Sequence, residues 1–334
     1  MTDLTEKQIM KNWVGNFDKP LLSICTISYN QEEYIEDALD SFLMQETEFP
    51  FEIVIDDDAS DDGTAMIISR YKSRFPNIIK SNLRKKNIGS MRNFIENIKR
   101  ATGKYIAFCD GDDYWTDPLK LQKQVDFLER NEDYSICASR YEVHPTRKIS
   151  NFKGEYTQSD LLKRNILGTL TVVFRSRLIS SKMFEMLDNK PVGDWTMWLY
   201  LSKYGKIKIL EDVSAVYRVH DKGVFSSLSW FGQLKMELDF YKSIYSDNFF
   251  TDRDRDIMKI SAKRRILTIL NDLHNITDSQ KIDILDKYDF FLPSASIFLV
   301  RVFLKFNRKF YLKVISLSLR MEFFVRKISH RFQI

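Results

Sequence analysis

The sequence predicts an α/β fold, a mostly parallel sheet flanked by helices, followed by a helical C-terminal region. Three observations carry that expectation. Between about residues 21 and 130, short β-rich apolar runs alternate with segments whose apolar residues recur at helical spacing, a pattern of parallel strands joined by crossover helices. Acidic residues gather where two of those runs end, in "IDDDASDDGT" and "CDGDD", and parallel sheets bind ligands beyond the carboxyl ends of their strands. From about Ser226 onward the apolar spacing is helical almost to the end. The expected division is therefore residues 1–225 as an α/β ligand-binding domain and 226–334 as a helical region.

Each element has its own signal. "LLSICTISY" (21–29) reads as a strand, and the segment after it sets Tyr34, Ile35, Ala38, Leu39 and Phe42 at helical spacing. "FEIVID" repeats the strand, with a helix from Thr64 to about Phe75. A short strand "IIKSNL" and a helix around "MRNFIENIKR" come next, then strand "KYIAFC" and helix "PLKLQKQVDFLER". Pro118 suits the first turn of that helix, with Asp117 or Thr116 as its cap. Past residue 133 the pattern turns to α+β: strands "YSICASRYEV" and "GTLTVVFR", helices at about 176–188 and 194–203, and strand "IKILEDVSAVYRVH". The helical region is interrupted near Asp247, Thr277 and Pro293.

With 44% apolar and 29% charged residues in 334, the chain has the composition of a folded protein large enough to be an enzyme. Cys25, Cys109 and Cys137 lie far apart, which suggests neither a disulfide framework nor a zinc cluster, and a reducing cytoplasmic setting is expected. No stretch approaches the roughly 20 apolar residues of a membrane span. Charge is uneven. From Ala295 onward nine Lys or Arg face the single acid Glu322, so that stretch carries +8 of a net +5 and residues 1–294 carry −3.

Three carboxylates at one strand end, Asp110, Asp112 and Asp113, repel one another by several kcal/mol at an intermediate dielectric, at separations of a few ångströms. A divalent cation is the economical relief for at least one of the two acidic clusters, and oxygen ligands favour Mg²⁺, Mn²⁺ or Ca²⁺ over zinc. A calcium loop starting at Asp58 is disfavoured, because Ser69 stands where such loops need a bidentate Glu. No glycine-rich phosphate loop follows the first strand. Any phosphate must then be held by a metal and basic side chains.

The stretches "SICTISYNQEEYIEDALDSFLMQ", "FEIVIDDDASDDGT", "NIGSMRNFIENIKRATGKYIAFCDGDDYW" and "PLKLQKQVDFLE" resemble, in order and spacing, the family 2 glycosyltransferases over about residues 21–130. The resemblance implies the GT-A fold for 1–225 and inverting transfer of a sugar from a nucleotide diphosphate donor, usually UDP-linked. The acceptor would be a hydroxyl of a glycan or lipid-linked glycan, in polysaccharide or cell-surface glycan synthesis. Carried over residue by residue, Tyr29 packs on the base and Asp57 hydrogen-bonds it, while Asp56 stands where relatives often carry an apolar residue. A tyrosine face and a carboxylate acceptor suit a uracil; a core aromatic and a turn-forming acid are the competing roles. Arg92 lies near the donor, where a guanidinium pairs with phosphate. Asp110 and Asp112 form the family's Asp-x-Asp pair, Asp110 touching the ribose or a metal-bound water and Asp112 ligating Mn²⁺ or Mg²⁺. Asp113 is able to substitute in either role.

Farther along, Asp194 in "VGDWTMWLYLSKYG" matches the family's catalytic base, with Gly193 where many relatives carry a second acid. Simple N-capping of the helix is the plainer role for Asp194. "YRVHDKGVFS" resembles the late loop that closes over the donor, with His220 as a further metal ligand and Lys222 near the phosphates. Glu211 and Asp212, inside "ILEDVSAVY", are left out of the site.

The tail interleaves apolar residues with Lys or Arg every three to five positions. Such a helix lies on an anionic membrane surface, as suits an enzyme of lipid-linked acceptors at the inner face of the membrane, or packs as an ordinary subdomain or oligomer contact. Nucleic acid is disfavoured, since the positive charge is confined to the tail. Two other functions compete: a metal-dependent nucleotidyltransferase, which would want the missing glycine-rich loop, and a membrane-docked binding module with a degenerate site.

Overall fold

The computed structural model describes residues 2–188, 190–272 and 275–292. It divides between Ser227 and Leu228 into two compact units. The first is built on a sheet of ten strands. Strands β1 (Leu22–Ser28), β2 (Phe51–Asp57), β3 (Ile79–Leu83) and β4 (Tyr105–Phe108) run parallel in the order β3-β2-β1-β4. Ser28 pairs with Asp57 and Cys25 with Phe108, so these strands end on one side of the sheet. Nearly every residue of β1, β2 and β4 is buried, as a parallel sheet covered on both faces requires.

A short N-terminal helix α1 (Glu6–Ile9) precedes the sheet, and the crossovers are α2 (Ile35–Leu43), α3 (Thr64–Arg74) and α4 (Ser90–Arg100). Their apolar stripes, such as Ile35, Leu39 and Phe42 of α2, are fully buried. Gly103, in the turn from α4 to β4, has no alternative: a Cβ there would lie 2.6–2.8 Å from the backbone of Leu22 and Ser23.

Past β4 the sheet becomes mixed. Its further strands are β5 (Tyr114–Trp115), β6 (Tyr134–His144), β7 (Lys148–Ile149), β8 (Gly154–Tyr156), β9 (Val173–Arg175) and β10 (Lys206–Arg218). β9 runs antiparallel between β4 and β6, β10 lies parallel to β6, and β5 pairs antiparallel with the far part of β10. The C-terminal ends of β4, β6 and β10 and the start of β9 thus converge, and β5 draws the "CDGDD" loop toward the end of β10.

Helix α5 (Lys120–Arg130) starts later than expected. Pro118 lies in the turn ahead of it, and Asp117 Oδ1 accepts the Leu119 N–H at 2.9 Å. After α6 (Gln158–Leu161), only Val173–Arg175 of "GTLTVVFR" is strand, because Thr171 turns back through its N–H to Gly168 O at 2.9 Å. The helix expected at about 176–188 is a 3₁₀ turn followed by α7 (Ser181–Leu187), capped by Ser180. Helix α8 (Gly193–Leu201) is buried almost all round, with Trp195 and Trp198 in the core. The three cysteines are buried and free.

The second unit contains α9 (Trp230–Tyr245), α10 (Asp252–Asn271) and α11 (Asp278–Lys287). Ser229, Thr251 and Thr277 cap them, the last two in reciprocal capping boxes with Asp254 and Gln280. Among the described residues no helix is long and apolar enough to cross a membrane. The basic tail from Ala295 lies outside the described residues.

Candidate active site

The two acidic clusters have different fates. In the one after β2, Asp56, Asp58 and Asp62 are bound up in the fold. Asp56, fully buried, is bound by Arg84 at 3.0 Å, by Arg100, by Asn82 Nδ2 at 2.7 Å and by Asn97 Nδ2 at 3.0 Å. Asp58 accepts the backbone N–H groups of Ile88 (2.8 Å) and Gly89 (2.9 Å), shaping the loop that opens α4, where Gly89 has φ +89°. Asp62 accepts from Thr64 N and Glu32 N at 2.9 and 3.1 Å. Arginines, side-chain amides and hydroxyls, and backbone donors therefore meet the charge of these three acids.

Asp57 is also buried. Its Oδ1 accepts from Ser28 Oγ (3.0 Å) and Ser60 Oγ (2.5 Å), and its Oδ2 from Ser60 N (3.0 Å). A carboxylate offers about four lone-pair sites, so one on Oδ2 is left. Tyr29, one residue past β1, is 49% exposed and presents an open ring face. Arg92 is exposed on the first turn of α4 and forms no ion pair among the described residues.

The cluster after β4 is arranged otherwise. Gly111 permits its tight path, since a Cβ there would meet Gln31 Oε1 at 2.4 Å and Ile35 Cδ1 at 2.7 Å. Asp112 Oδ2 and His220 Nε2, two residues beyond β10, are joined by a hydrogen bond of 3.1 Å. The His220 ring packs on Tyr34, centroids 4.9 Å apart, and its Nδ1 is buried without a partner among the described residues. Asp113 turns inward to accept the Arg218 N–H at 2.8 Å. The Arg218 guanidinium sits 4.3 Å from the Tyr114 ring centroid, donates to Asp112 O at 3.0 Å and pairs with Asp37. Asp113 is thus occupied in tying the loop to β10, which argues against its substituting for Asp112.

Asp110 points elsewhere. No hydrogen bond reaches its carboxylate among the described residues, and burial, then the charges of Asp112 and Asp194, push its pKa up to about 8. Asp194 is the second residue of α8, not its cap, which is Val192. Its Oδ1 accepts the Trp195 N–H at 2.6 Å, and its Oδ2 accepts from Thr169 Oγ1 at 2.9 Å and Asn165 Nδ2 at 3.4 Å. Burial raises its pKa, and these donors oppose the rise. At Gly193 a Cβ would come within 2.1 Å of the Met91 methyl. That methyl fills the space a side chain would need.

The structure therefore brings Asp110, Asp112, His220 and Asp194 to one end of the sheet. No group of three His, Cys, Asp or Glu able to hold a metal occurs among the described residues. Asp112 would offer a Mg²⁺- or Mn²⁺-type ion one carboxylate and His220 one nitrogen. Such ions bind through one or two carboxylates and complete their shell with substrate phosphates and water, and donors roughly 2.1 Å from one ion sit about 3 Å apart. Arg218, Thr169 and Asn165 were not foreseen; Arg218 had a faint signal in its place two residues before His220, the other two none.

Comparison with known proteins follows this geometry. The family model described as glycosyl transferase family 2 matches residues 23–202. Over 222 residues, 62% of this chain, an uncharacterized Mycobacterium tuberculosis protein is 40% identical, and the match covers 61% of that relative. This chain thus spans less than two thirds of the length of that relative. The Escherichia coli UDP-Glc:alpha-D-GlcNAc-diphosphoundecaprenol beta-1,3-glucosyltransferase WfaP is 32% identical over 228 residues, 67% of this chain and 86% of the other. Among solved structures, S. aureus TarS 1–349 in complex with UDP-GlcNAc superposes with a TM-score of 0.63 at 17% identity, covering 90% of this chain and 92% of that one. That likeness shows a shared fold, the GT-A fold.

Proposed function

The chain belongs to glycosyl transferase family 2, and from that premise we propose that it transfers a sugar, with inversion, from a nucleoside diphosphate donor to a hydroxyl of a lipid-linked or other glycan acceptor. The observation that carries this reading is the Asp112–His220 pair, 3.1 Å apart, with the unpartnered Asp110 carboxylate beside it. A UDP-linked donor and a diphosphate-linked acceptor are favoured by the relative from Escherichia coli, whose name specifies both.

Asp112 and His220 would hold a divalent ion, Mn²⁺ or Mg²⁺, which when bound offsets the charge growing on the departing nucleoside diphosphate. Tyr29 offers its exposed ring to the base, and Asp57 Oδ2 has a lone pair for the base N–H. Arg92, charged, exposed and without an ion pair among the described residues, would meet the diphosphate. Asp110 takes the ribose hydroxyl or an ion-bound water. Asp194 accepts the proton of the acceptor hydroxyl as its oxygen bonds to the anomeric carbon and the carbon–diphosphate bond breaks. A carboxylate in water is a weak base; burial of Asp194 raises its basicity toward neutral pH. The cationic tail would bring the enzyme to an anionic membrane where such acceptors reside.

A panel of UDP- and GDP-linked sugars, assayed for hydrolysis and for transfer to membrane lipid extracts, tests the reading. Release of UDP from one donor, lost in Asp194→Asn while UDP binding is kept, is the expected result. Failure of every donor with an intact fold, or unchanged turnover in that variant, would overturn it.

A further inference from the structure

Asp194 is held by a segment remote in sequence. Thr169 opens the 3₁₀ turn that leads into β9, and that turn is fixed from three directions. Trp115 Nε1 donates to Leu170 O at 2.7 Å, Gln124 Nε2 to Thr171 O at 2.8 Å, and the Phe108 N–H to Val172 O at 3.1 Å. The last bond ties Thr169's turn to the final residue of β4, two positions before Asp110. Asn165 is oriented as well, since its Oδ1 accepts the Leu167 N–H at 3.2 Å and its Nδ2 is thereby aimed at Asp194. Both uncharged donors converge on Asp194 Oδ2, while Oδ1 is held by its own helix.

We infer that Thr169, backed by Asn165, is a positioning residue whose hydroxyl clamps Asp194 Oδ2, keeping that half-buried carboxylate ionised and in one orientation for the acceptor hydroxyl. This rests on Asp194 being the base of the proposed reaction. A hydroxyl donating to an anion stabilises the charged form. Without it the carboxylate keeps the Trp195 N–H, its own backbone N–H and the longer bond from Asn165. Among the described residues the titratable group that acts on Asp194 is Asp110, from the loop after β4; Thr169, Asn165 and Met91 are uncharged.

The test is the titration of Asp194 followed by NMR of protein carrying ¹³C-labelled aspartate, with the signal assigned by its loss in Asp194→Asn. It is repeated in an Asp110→Asn background so that the two carboxylates are not read as one pair. Thr169→Val, near-isosteric but without the hydroxyl, should move the Asp194 midpoint up by about one pH unit. Thr169→Ser should restore it. A Thr169→Val protein that folds and titrates like wild type overturns the proposal; if that variant does not fold, Thr169→Ala carries the same comparison. Asp194→Asn assayed alongside for hydrolysis of UDP-glucose and UDP-N-acetylglucosamine separates the two readings. Retained hydrolysis there removes the base and this proposal with it, whereas lost hydrolysis with an unmoved Thr169→Val titration removes this proposal alone.

Discussion

The backbone N–H of Arg218 donates to Asp113 Oδ1 at 2.8 Å, joining the end of β10 to the loop that follows β4. The bond fixes the spacing of two residues that flank it, Asp112 on the loop and His220 two residues past β10, and so separates a structural acid from a binding one within a single run. Asp113→Ala should leave the half-buried Arg218 N–H unmet and cost about 1–3 kcal/mol in urea denaturation. Asp112→Ala, by removing one of the repelling charges, should leave stability equal or higher. Equal losses from both substitutions would contradict the division of labour.

Asp56 should prove a structural residue. Removing its charge in Asp56→Asn leaves Arg84 and Arg100 without their partner; because their side chains keep 18% and 32% exposure, the cost should sit near the lower end for a broken buried pair, about 3 kcal/mol. Chemical denaturation measures this. UDP affinity of the folded fraction should change little, and a selective loss of UDP binding at unchanged stability would reassign Asp56 to the base site.

These two acids also mark how far the sequence could be read. Strands β1, β2 and β4 and the helices between them were legible, because burial on both faces leaves continuous apolar runs and the crossover helices keep a 3.6-residue period. The "DGDD" run and His220 were legible by type and spacing. What was not legible is which acid does what. Asp56 is neutralised by Arg84 and Arg100, 28 and 44 positions away, and nothing near Asp56 in sequence announces them. Strand β5 has two residues, too few to show a period. Thr169 is one hydroxyl in a "GTLT" run, and only the antiparallel placement of β9 beside β4 carries it to Asp194.

Stability should depend on Lys120. Its ammonium is buried, 4.2 Å from the Trp115 ring centroid and 2.8 Å from Gln124 Oε1, and burial lowers its pKa to about 7. An unfolded lysine titrates near 10.4. Between those values the unfolded chain binds the additional proton, so stability rises with pH across that window, and below about pH 7 the whole penalty is present. Lys120→Met should flatten this slope and raise stability at pH 6 by about 2–4 kcal/mol. Denaturant midpoints from pH 6 to 10 check it; parallel slopes for both proteins would contradict it.

The account turns on a cation shared between Asp112, His220 and a diphosphate. Isothermal titration of UDP, with and without Mn²⁺, into wild type and Asp112→Asn tests that most directly. Mn²⁺ should tighten UDP binding to wild type by about tenfold or more, equivalent to about 1.4 kcal/mol, and the gain should vanish in the folded variant. UDP affinity indifferent to Mn²⁺ in wild type, or an equal gain in Asp112→Asn, would contradict it.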